Sequence, residues 1–367
     1  MAAGGSGAGW RGLEFQGYRR PDGSVGIRNH LLVIPSVICS QQVSLRIGEL
    51  FPEAVVLQHQ HGCSQIGDDA VRTFQTLAGM GRNPNVGAVL VVSLGCETLD
   101  SVRLAEEIAR SGKPVERIGI QEVGGSVRTI EEGRRIARAL RQHLDRHKPE
   151  PCHLGELRIG TKCGQVDATV AALANPAVGR LADRAVAEGA AVFVAELTDL
   201  LGAADLVAGR AASPALAGRI RRELDAWEEA LRRQAVDPWE TLRGFAARQG
   251  AERGGDGDVA LTTYREWSLA ALAKAGTSSF VGYCPFGEVP ERGGLYLMET
   301  PEHDAEAVSG MAAGGAAVIL FTTGRGTPLG NPVCPVIKIT ANPATARRLA
   351  DHIDVDLSDG GFSGAGA

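Results

Sequence analysis

The chain has 367 residues, of which 44% are hydrophobic and 22% charged, with a formal net charge of −5. That length allows two domains with a core each, and the balance is that of a folded globular protein. A mildly acidic chain has no broad basic field for nucleic acid, and no apolar run reaches the roughly 18 residues a membrane helix needs, so neither partner is expected.

Met1 to Gly9 lacks the basic and apolar sections of a secretory leader. Residues 1–16 read as a disordered N-terminus and 358–367 as a disordered tail, both of low complexity. With no leader, an odd count of seven cysteines predicts reduced thiols in a cytoplasmic protein.

From His30 onward strand and helix patterns alternate: strand 31–38 and helix 40–51, strand 54–59 and helix 68–81, strand 86–94 and helix 99–112, strand 115–120 and helix 127–146. Four such units predict a parallel sheet covered by helices, in a first α/β domain over 17–150. A proline-containing joint at 148–152 opens a second α/β domain, 151–357. It begins with strand 157–162, helix 175–188 and strand 190–196, followed by a helical insertion near 200–250 and a loop at 250–258. Strands at 279–283, 294–298, 316–322 and 335–340 follow, with helices at 303–313 and 343–353. The fold class is therefore α/β: two α/β domains with mainly parallel sheets covered by helices. A strand leading to Cys39 and another leading to Cys163, each before a helix, leave open a duplicated half. Arginine clusters at 134–141 and 219–222 have the spacing of solvated helix faces.

Five cysteines (Cys39, Cys63, Cys96, Cys163 and Cys284) stand where an apolar run meets a turn. In parallel α/β sheets those carboxyl ends form the rim where ligands bind. His59, His61 and Cys63 lie within five residues and share one side of an extended segment, offering donors suited to iron or zinc. One histidine satisfying buried backbone and a packed Cys63 is the structural alternative. In Leu94–Glu97, Cys96 could be a ligand, and Glu97 a base or a helix-dipole partner. Around Thr161–Asp167, Lys162 could hold a carboxylate, while Cys163 ends the strand and Asp167 could be a ligand, a base or a cap. The turn Phe321–Thr327, with Thr322, Thr323 and Arg325 among glycines, suits an anion. Arg28 is a lesser candidate in the Gly17–Asn29 segment. There is no Ser/His/Asp triad, CxxC pair, Walker loop or post-strand GxGxxG.

In this order the motifs resemble the altronate/galactarate dehydratase family. The matching pieces are Gly17–Gly23 with Gly26–Asn29, His59–Cys63, Leu94–Glu97, Ile120–Gly125, Lys162–Gly164 with Asp167, Asn175–Ala177, Met298–Pro301 and Thr322–Gly326, together covering roughly Gly17 to Asp356. The resemblance implies a carbon–oxygen lyase that dehydrates a sugar acid to a 2-keto-3-deoxy acid with Fe(II) or a similar divalent metal. It also implies kinship with the large subunit of sulfolactate sulfo-lyase, which eliminates sulfite, so that reaction is an alternative. So is a non-catalytic sugar-acid-binding homologue.

Family members often carry a small β-clip domain, fused or as a separate subunit. The 16 residues before Gly17 are too few for one, so the chain reads as the large component of a two-component enzyme, itself expected to form a homo-oligomer. Two departures from the family stand out: 249–258 lacks an Asn-Pro-x-Pro-x-Asn segment, and Lys162 stands where relatives often have Gln. The expected metal ligands are His59, His61, Cys63, Cys96 and Cys163, with the three thiols converging on a [4Fe–4S] cluster; mononuclear Fe(II) with His and carboxylate ligands is the alternative. Glu97, Lys162 and Asp167 would be catalytic, and Arg28, Thr322, Thr323 and Arg325 would bind the substrate.

Overall fold

Residues 12–234, 237, 239–240 and 263–359 are described by the computed structural model. Two short strands, β1 (Glu14–Arg19) and β2 (Val25–Gly26), pair antiparallel where the sequence shows only polar turns. Then β3 (His30–Pro35), β4 (Ala54–Val56), β5 (Val86–Ser93) and β6 (Val115–Gly119) form a parallel sheet in the order β4-β3-β5-β6. Every residue of β5 is buried, as a strand covered on both faces requires. β7 (Glu150–His153) runs back along β1, so the proline-containing joint is itself a strand.

Seven parallel strands follow in the second half: β8 (Arg158–Cys163), β9 (Ala191–Val194), β10 (Phe280–Cys284), β11 (Gly294–Met298), β12 (Val318–Thr322), β13 (Val336–Thr340) and β14 (Val355–Asp356). Their order is β10-β11-β9-β8-β12-β13-β14. In both sheets the first strand, β3 or β8, has its successor on one side, and the later strands β5 and β6, or β12 and β13, on the other. Each sheet therefore has a switch point at the carboxyl end of its first strand, the place where open α/β sheets bind ligands. Cys39 follows β3 and Cys163 ends β8.

The halves share a core. Leu32, Ile34, Val89 and Val91 of the small sheet pack in one cluster with Phe193, Tyr296, Ile319 and Phe321 of the large sheet. Asn83 and Asn85 stitch the halves through buried hydrogen bonds. Asn83 Nδ2 donates to the carbonyls of Ala312 (2.7 Å) and Ala316 (2.9 Å), and Asn85 Nδ2 to those of Ala317 (2.9 Å) and Val333 (3.1 Å). Asn85→Ala strands two buried carbonyls and is expected to cost about 2–3 kcal/mol, read as a lower midpoint in urea unfolding.

Several boundaries differ from those expected. β3 stops at Pro35 because Ile38–Ser40 forms a 3-10 turn. β9 stops at Val194, and two residues later Glu196 takes a left-handed backbone conformation (φ +77°). The helix expected at 343–353 is Pro343–Arg348. A helix at Tyr264–Leu272 is capped by a reciprocal Thr263–Glu266 box. Within 200–250 the described residues include the 3-10 turn Leu201–Ala203 and the helices Ala204–Gly209 and Pro214–Arg233, whereas the altered segment 249–258 lies outside the described residues. No helix among the described residues is long and apolar enough to cross a membrane.

Candidate active site

At the switch point of the seven-stranded sheet, the turns after β8, β9, β11 and β12 enclose a network of charges. Lys162, from the end of β8, and Lys274 are both 0% exposed, as is Glu196, and Asp199 is 1% exposed. Lys162 Nζ donates to Glu196 Oε1 and lies 2.5 Å from Asp304 Oδ1. Lys274 Nζ donates to Glu196 Oε2 at 2.9 Å, and the Cys163 N–H donates to the same oxygen at 2.8 Å. The left-handed backbone of Glu196 is fixed by its own N–H, which donates to Thr300 Oγ1 at 2.7 Å. A non-glycine residue in that region costs free energy and persists only where its surroundings hold it.

Buried charges are costly unless paired and hydrogen-bonded. Burial alone would raise Glu196, yet Lys162 and Lys274 bring its carboxyl below the ordinary value. Burial opposes the charge on both lysines, but Glu196 with Asp304 holds Lys162, and Glu196 with Asp199 holds Lys274, above the usual lysine value. Two carboxyls go the other way. Burial and the neighbouring Glu196 push Asp199 up to about 7. Burial, Asp199 and Glu196 push Glu302 up to about 8. Asp199 Oδ1 accepts from Trp267 Nε1 at 3.1 Å, while its buried Oδ2 has no hydrogen-bond partner. Carboxyls that titrate near neutrality beside fixed cations are what general acid–base chemistry requires.

Beside this network, a cleft of about 870 Å³ lies between the two halves. Pro301, which precedes Glu302, and Ala305 and Glu306, from the first turn of the helix Asp304–Ala313, form one wall, and Trp227 and Phe286 extend it. His59, His61, Gln65 and Arg72 face them from the first half. Arg72 spans the cleft, with Nη2 3.1 Å from Glu299 Oε1 and its guanidinium stacked on Phe286.

The residues singled out in the sequence fall into separate groups. Lys162, Cys163 and Thr322 belong to the buried network. Thr322 Oγ1 donates to Asn175 Oδ1 at 2.5 Å, and Asn175 Nδ2 donates to Cys163 Sγ at 3.4 Å. Thr323 Oγ1 accepts from the Gly326 N–H at 2.9 Å, which shapes the turn carrying Arg325. Asp167 caps the segment after it, accepting from Val170 N–H at 2.9 Å, and its other oxygen accepts from Asn342 Nδ2 at 2.9 Å.

Glu97 lies at the rim of the small sheet, accepting from Ser36 Oγ and from the Gly95 N–H, both at 2.6 Å. Burial raises its pKa, but these bonds bring it below the ordinary glutamate value, which makes it a poorer base. Arg28 is exposed on the segment entering β3, at the opposite end of that strand from the rim.

Of the proposed ligands, His59 has both ring nitrogens engaged: Nε2 donates to the Pro35 carbonyl at 2.7 Å and Nδ1 accepts from the His61 N–H at 3.1 Å. Cys163 is buried, its thiol pushed by burial up to about 11, and it stands on the other sheet from Cys63 and Cys96. His61, Cys63 and Cys96 are exposed at the first rim. Among the described residues no group of three or more His, Cys, Asp or Glu side chains is gathered to hold a metal ion. The five residues therefore do not fit one shared centre in this arrangement.

Sequence reasoning did not single out Glu196, Asp199, Lys274, Glu302 or Asp304. The signals were present in part: Glu196 and Asp199 follow the apolar run 191–195, and Lys274 interrupts the apolar stretch Leu269–Ala275. Bringing Lys274 to Glu196 takes a contact across 78 residues.

Compared with known proteins, residues 17–145 match the family model described as D-galactarate dehydratase/altronate hydrolase, second domain. Residues 154–360 match D-galactarate/altronate dehydratase, C-terminal. The chain is 36% identical over 349 residues to the (2R)-sulfolactate sulfo-lyase subunit beta of Chromohalobacter salexigens, which covers 95% of this chain and 87% of that one. It is 32% identical over 338 residues to the altronate dehydratase of Bacillus subtilis, covering 89% of this chain and 65% of that one. It is also 32% identical over 367 residues to the galactarate dehydratase (L-threo-forming) of Escherichia coli, covering 94% and 68%. With both halves matched and a relative aligned over nearly the whole chain, this protein belongs to the D-galactarate/altronate dehydratase family.

Proposed function

We propose that the chain is a lyase that removes water from a sugar acid of the altronate or galactarate class, leaving a 2-keto-3-deoxy acid. The observation that carries this reading is the pairing of fixed buried cations with a carboxyl, Glu302, held protonated near neutral pH next in sequence to Pro301 of the cleft wall. In the elimination a base takes the proton α to the carboxylate, the C–O bond breaks, and the hydroxyl leaves as water with a proton from Glu302. The enol that remains tautomerises to the keto acid. Lys162 and Lys274, fixed before reaction, oppose the negative charge that grows on the enolate. Both are held charged, so neither is the base.

This reading includes an iron requirement and a separate small β-clip subunit. Bound iron would supply a Lewis acid for the leaving group, although the described residues of this chain gather no donor set that fits it. The subunit-beta name of one relative favours a multi-subunit assembly. The greater overlap with that relative, 87% of its length against 65% and 68% for the two dehydratases, also supports a second reading. Elimination of sulfite from sulfolactate uses the same proton abstraction with a different leaving group.

Anaerobically purified chain, with and without a small partner subunit, should be offered altronate, galactarate and sulfolactate. Keto-acid formation from a sugar acid without sulfite release is the expected result. Sulfite release from sulfolactate alone would favour the second reading, and no turnover with any of them would sink both.

A further inference from the structure

We infer that Arg72 binds the substrate's carboxylate, exchanging Glu299 for it, and that the cleft therefore selects sugar acids with one carboxylate over those with two. The class of ligand is taken from the sugar-acid reading above, on which this inference rests, and the charges of the cleft do the selecting.

Arg72 stands on the helix Gly67–Arg82 and faces the second half across the cleft. It is the only lysine or arginine among the described residues that line the cleft, where the acids are Asp69 and Glu306. Lys162 and Lys274 are buried and already matched by Glu196 and Asp304. An incoming carboxylate thus has Arg72 to meet. A second carboxylate on the same molecule would find no further lysine or arginine among the lining residues, and Asp69 and Glu306 would repel it.

A carboxylate already sits where the substrate's would. Arg72 Nη2 lies 3.1 Å from Glu299 Oε1, a contact through one nitrogen of a five-donor fork. The pair is readily exchanged, because the Arg72 side chain is 50% exposed and exposed ion pairs are weak. Both residues keep their places without it. Glu299 retains the Tyr283 hydroxyl as a partner, and its N–H donates to the Cys284 carbonyl at 2.8 Å. The Arg72 guanidinium lies over the Phe286 ring, 4.7 Å from its centre. That ring is pressed against the helix Asp304–Ala313, since a Cβ at Gly310 would come within 2.7 Å of it. A planar fork held flat on an aromatic face is set to take a carboxylate through two bonds.

Glu299 is three residues before Glu302, so a carboxylate in its place is held beside the turn that carries the proposed general acid. Gln58, Thr73, Ser309 and Asn331 supply neutral donors and acceptors along the same cleft. They suit the hydroxyls of a chain charged at one end only.

The test is titration calorimetry on the anaerobically purified full chain, read as Kd, or as KM where the ligand is turned over. The ligands are altronate with one carboxylate, galactarate with two, and altritol, the matching sugar alcohol, with none. Wild type is expected to bind altronate and to hold galactarate and altritol about tenfold or more weakly. Arg72→Gln should weaken altronate about 10–100-fold, to the level of altritol, and leave altritol unchanged. Arg72→Lys should recover part of the loss, since it keeps the charge without the fork. Glu299→Gln should act in the opposite direction, tightening altronate about two- to fivefold by removing the internal competitor. In turnover, Arg72→Gln should raise KM more than it lowers kcat, and thermal melts confirm that each variant is folded. Weaker altronate binding in both Arg72→Gln and Glu299→Gln would make the pair a structural tie and overturn the assignment. A wild type that binds galactarate as tightly as altronate, or binds neither, would overturn it too. Arg72-dependent binding of altronate by a chain that dehydrates no sugar acid would leave this inference standing and the dehydratase reading fallen. Dehydration with an unchanged KM in Arg72→Gln would do the reverse.

Discussion

Glu302→Gln is expected to lower kcat by about 10²–10⁴-fold, the range for loss of a positioned general acid. Burial, Asp199 and Glu196 raise Glu302 from an ordinary value of 4.5 to about 8, so it carries its proton at neutral pH and can give it to a leaving hydroxyl. The general-acid role needs the protonated form, so kcat of the wild type should fall as pH rises through about 8. The glutamine variant, which has nothing to titrate there, should lose that limb. A variant with reduced kcat but an unchanged alkaline limb would assign the limb to another group.

The same shift has a consequence for stability. A carboxyl whose pKa is raised by folding stabilises the fold below its unfolded pKa, and that stability is lost as pH rises through the folded value. Asp199 and Glu302 both behave this way, so the urea midpoint should decline from mildly acid pH to above about 8. A midpoint that instead rose across that window would mean that the two carboxyls are ionised in the native protein.

Lys162→Met is expected to destabilise the chain by about 3–5 kcal/mol, because removing one partner leaves a buried charge uncompensated. Glu196 would keep Lys274 as its one cation, and Asp304 would lose the ammonium that holds it. Asp304 is 42% exposed at its side chain and can turn to water, but Glu196 cannot. Most of the cost should therefore disappear in the double variant Lys162→Met/Glu196→Gln, where no anion is stranded. Urea unfolding of the two single variants and the double completes the cycle. Additive losses would show that Lys162 and Glu196 are not energetically coupled, and the network would then be no more than a set of separate pairs.

Periodicity made the scaffold legible. The runs 86–94 and 316–322 are strands because a strand covered on both faces must be apolar throughout, and that requirement is local. The same rule drew attention to the residues just after such runs, which is how Cys39, Cys63, Cys96, Lys162 and Thr322 came forward. It could not sort them, because a strand's carboxyl end says nothing about which other ends lie beside it. Strand order does: β3 lies between β4 and β5, whereas β8 lies in a different sheet, and so Cys163 is separated from Cys63 and Cys96.

The deepest part of the candidate site was the least visible. Lys274 sits in a helical turn that sequence patterns join only to its neighbours, and its charge becomes intelligible when Glu196 reaches it from the end of β9. The raised carboxyls Asp199 and Glu302 exist only because four turns close over them and remove water. By itself the sequence determined the α/β class, the two parallel sheets and the family motifs, since those follow from side-chain spacing along one segment. Which thiols share a rim, which carboxyls hold protons, and which lysines stay charged in the interior were decided by the tertiary structure, because each depends on the dielectric and the charges that distant segments bring to one place.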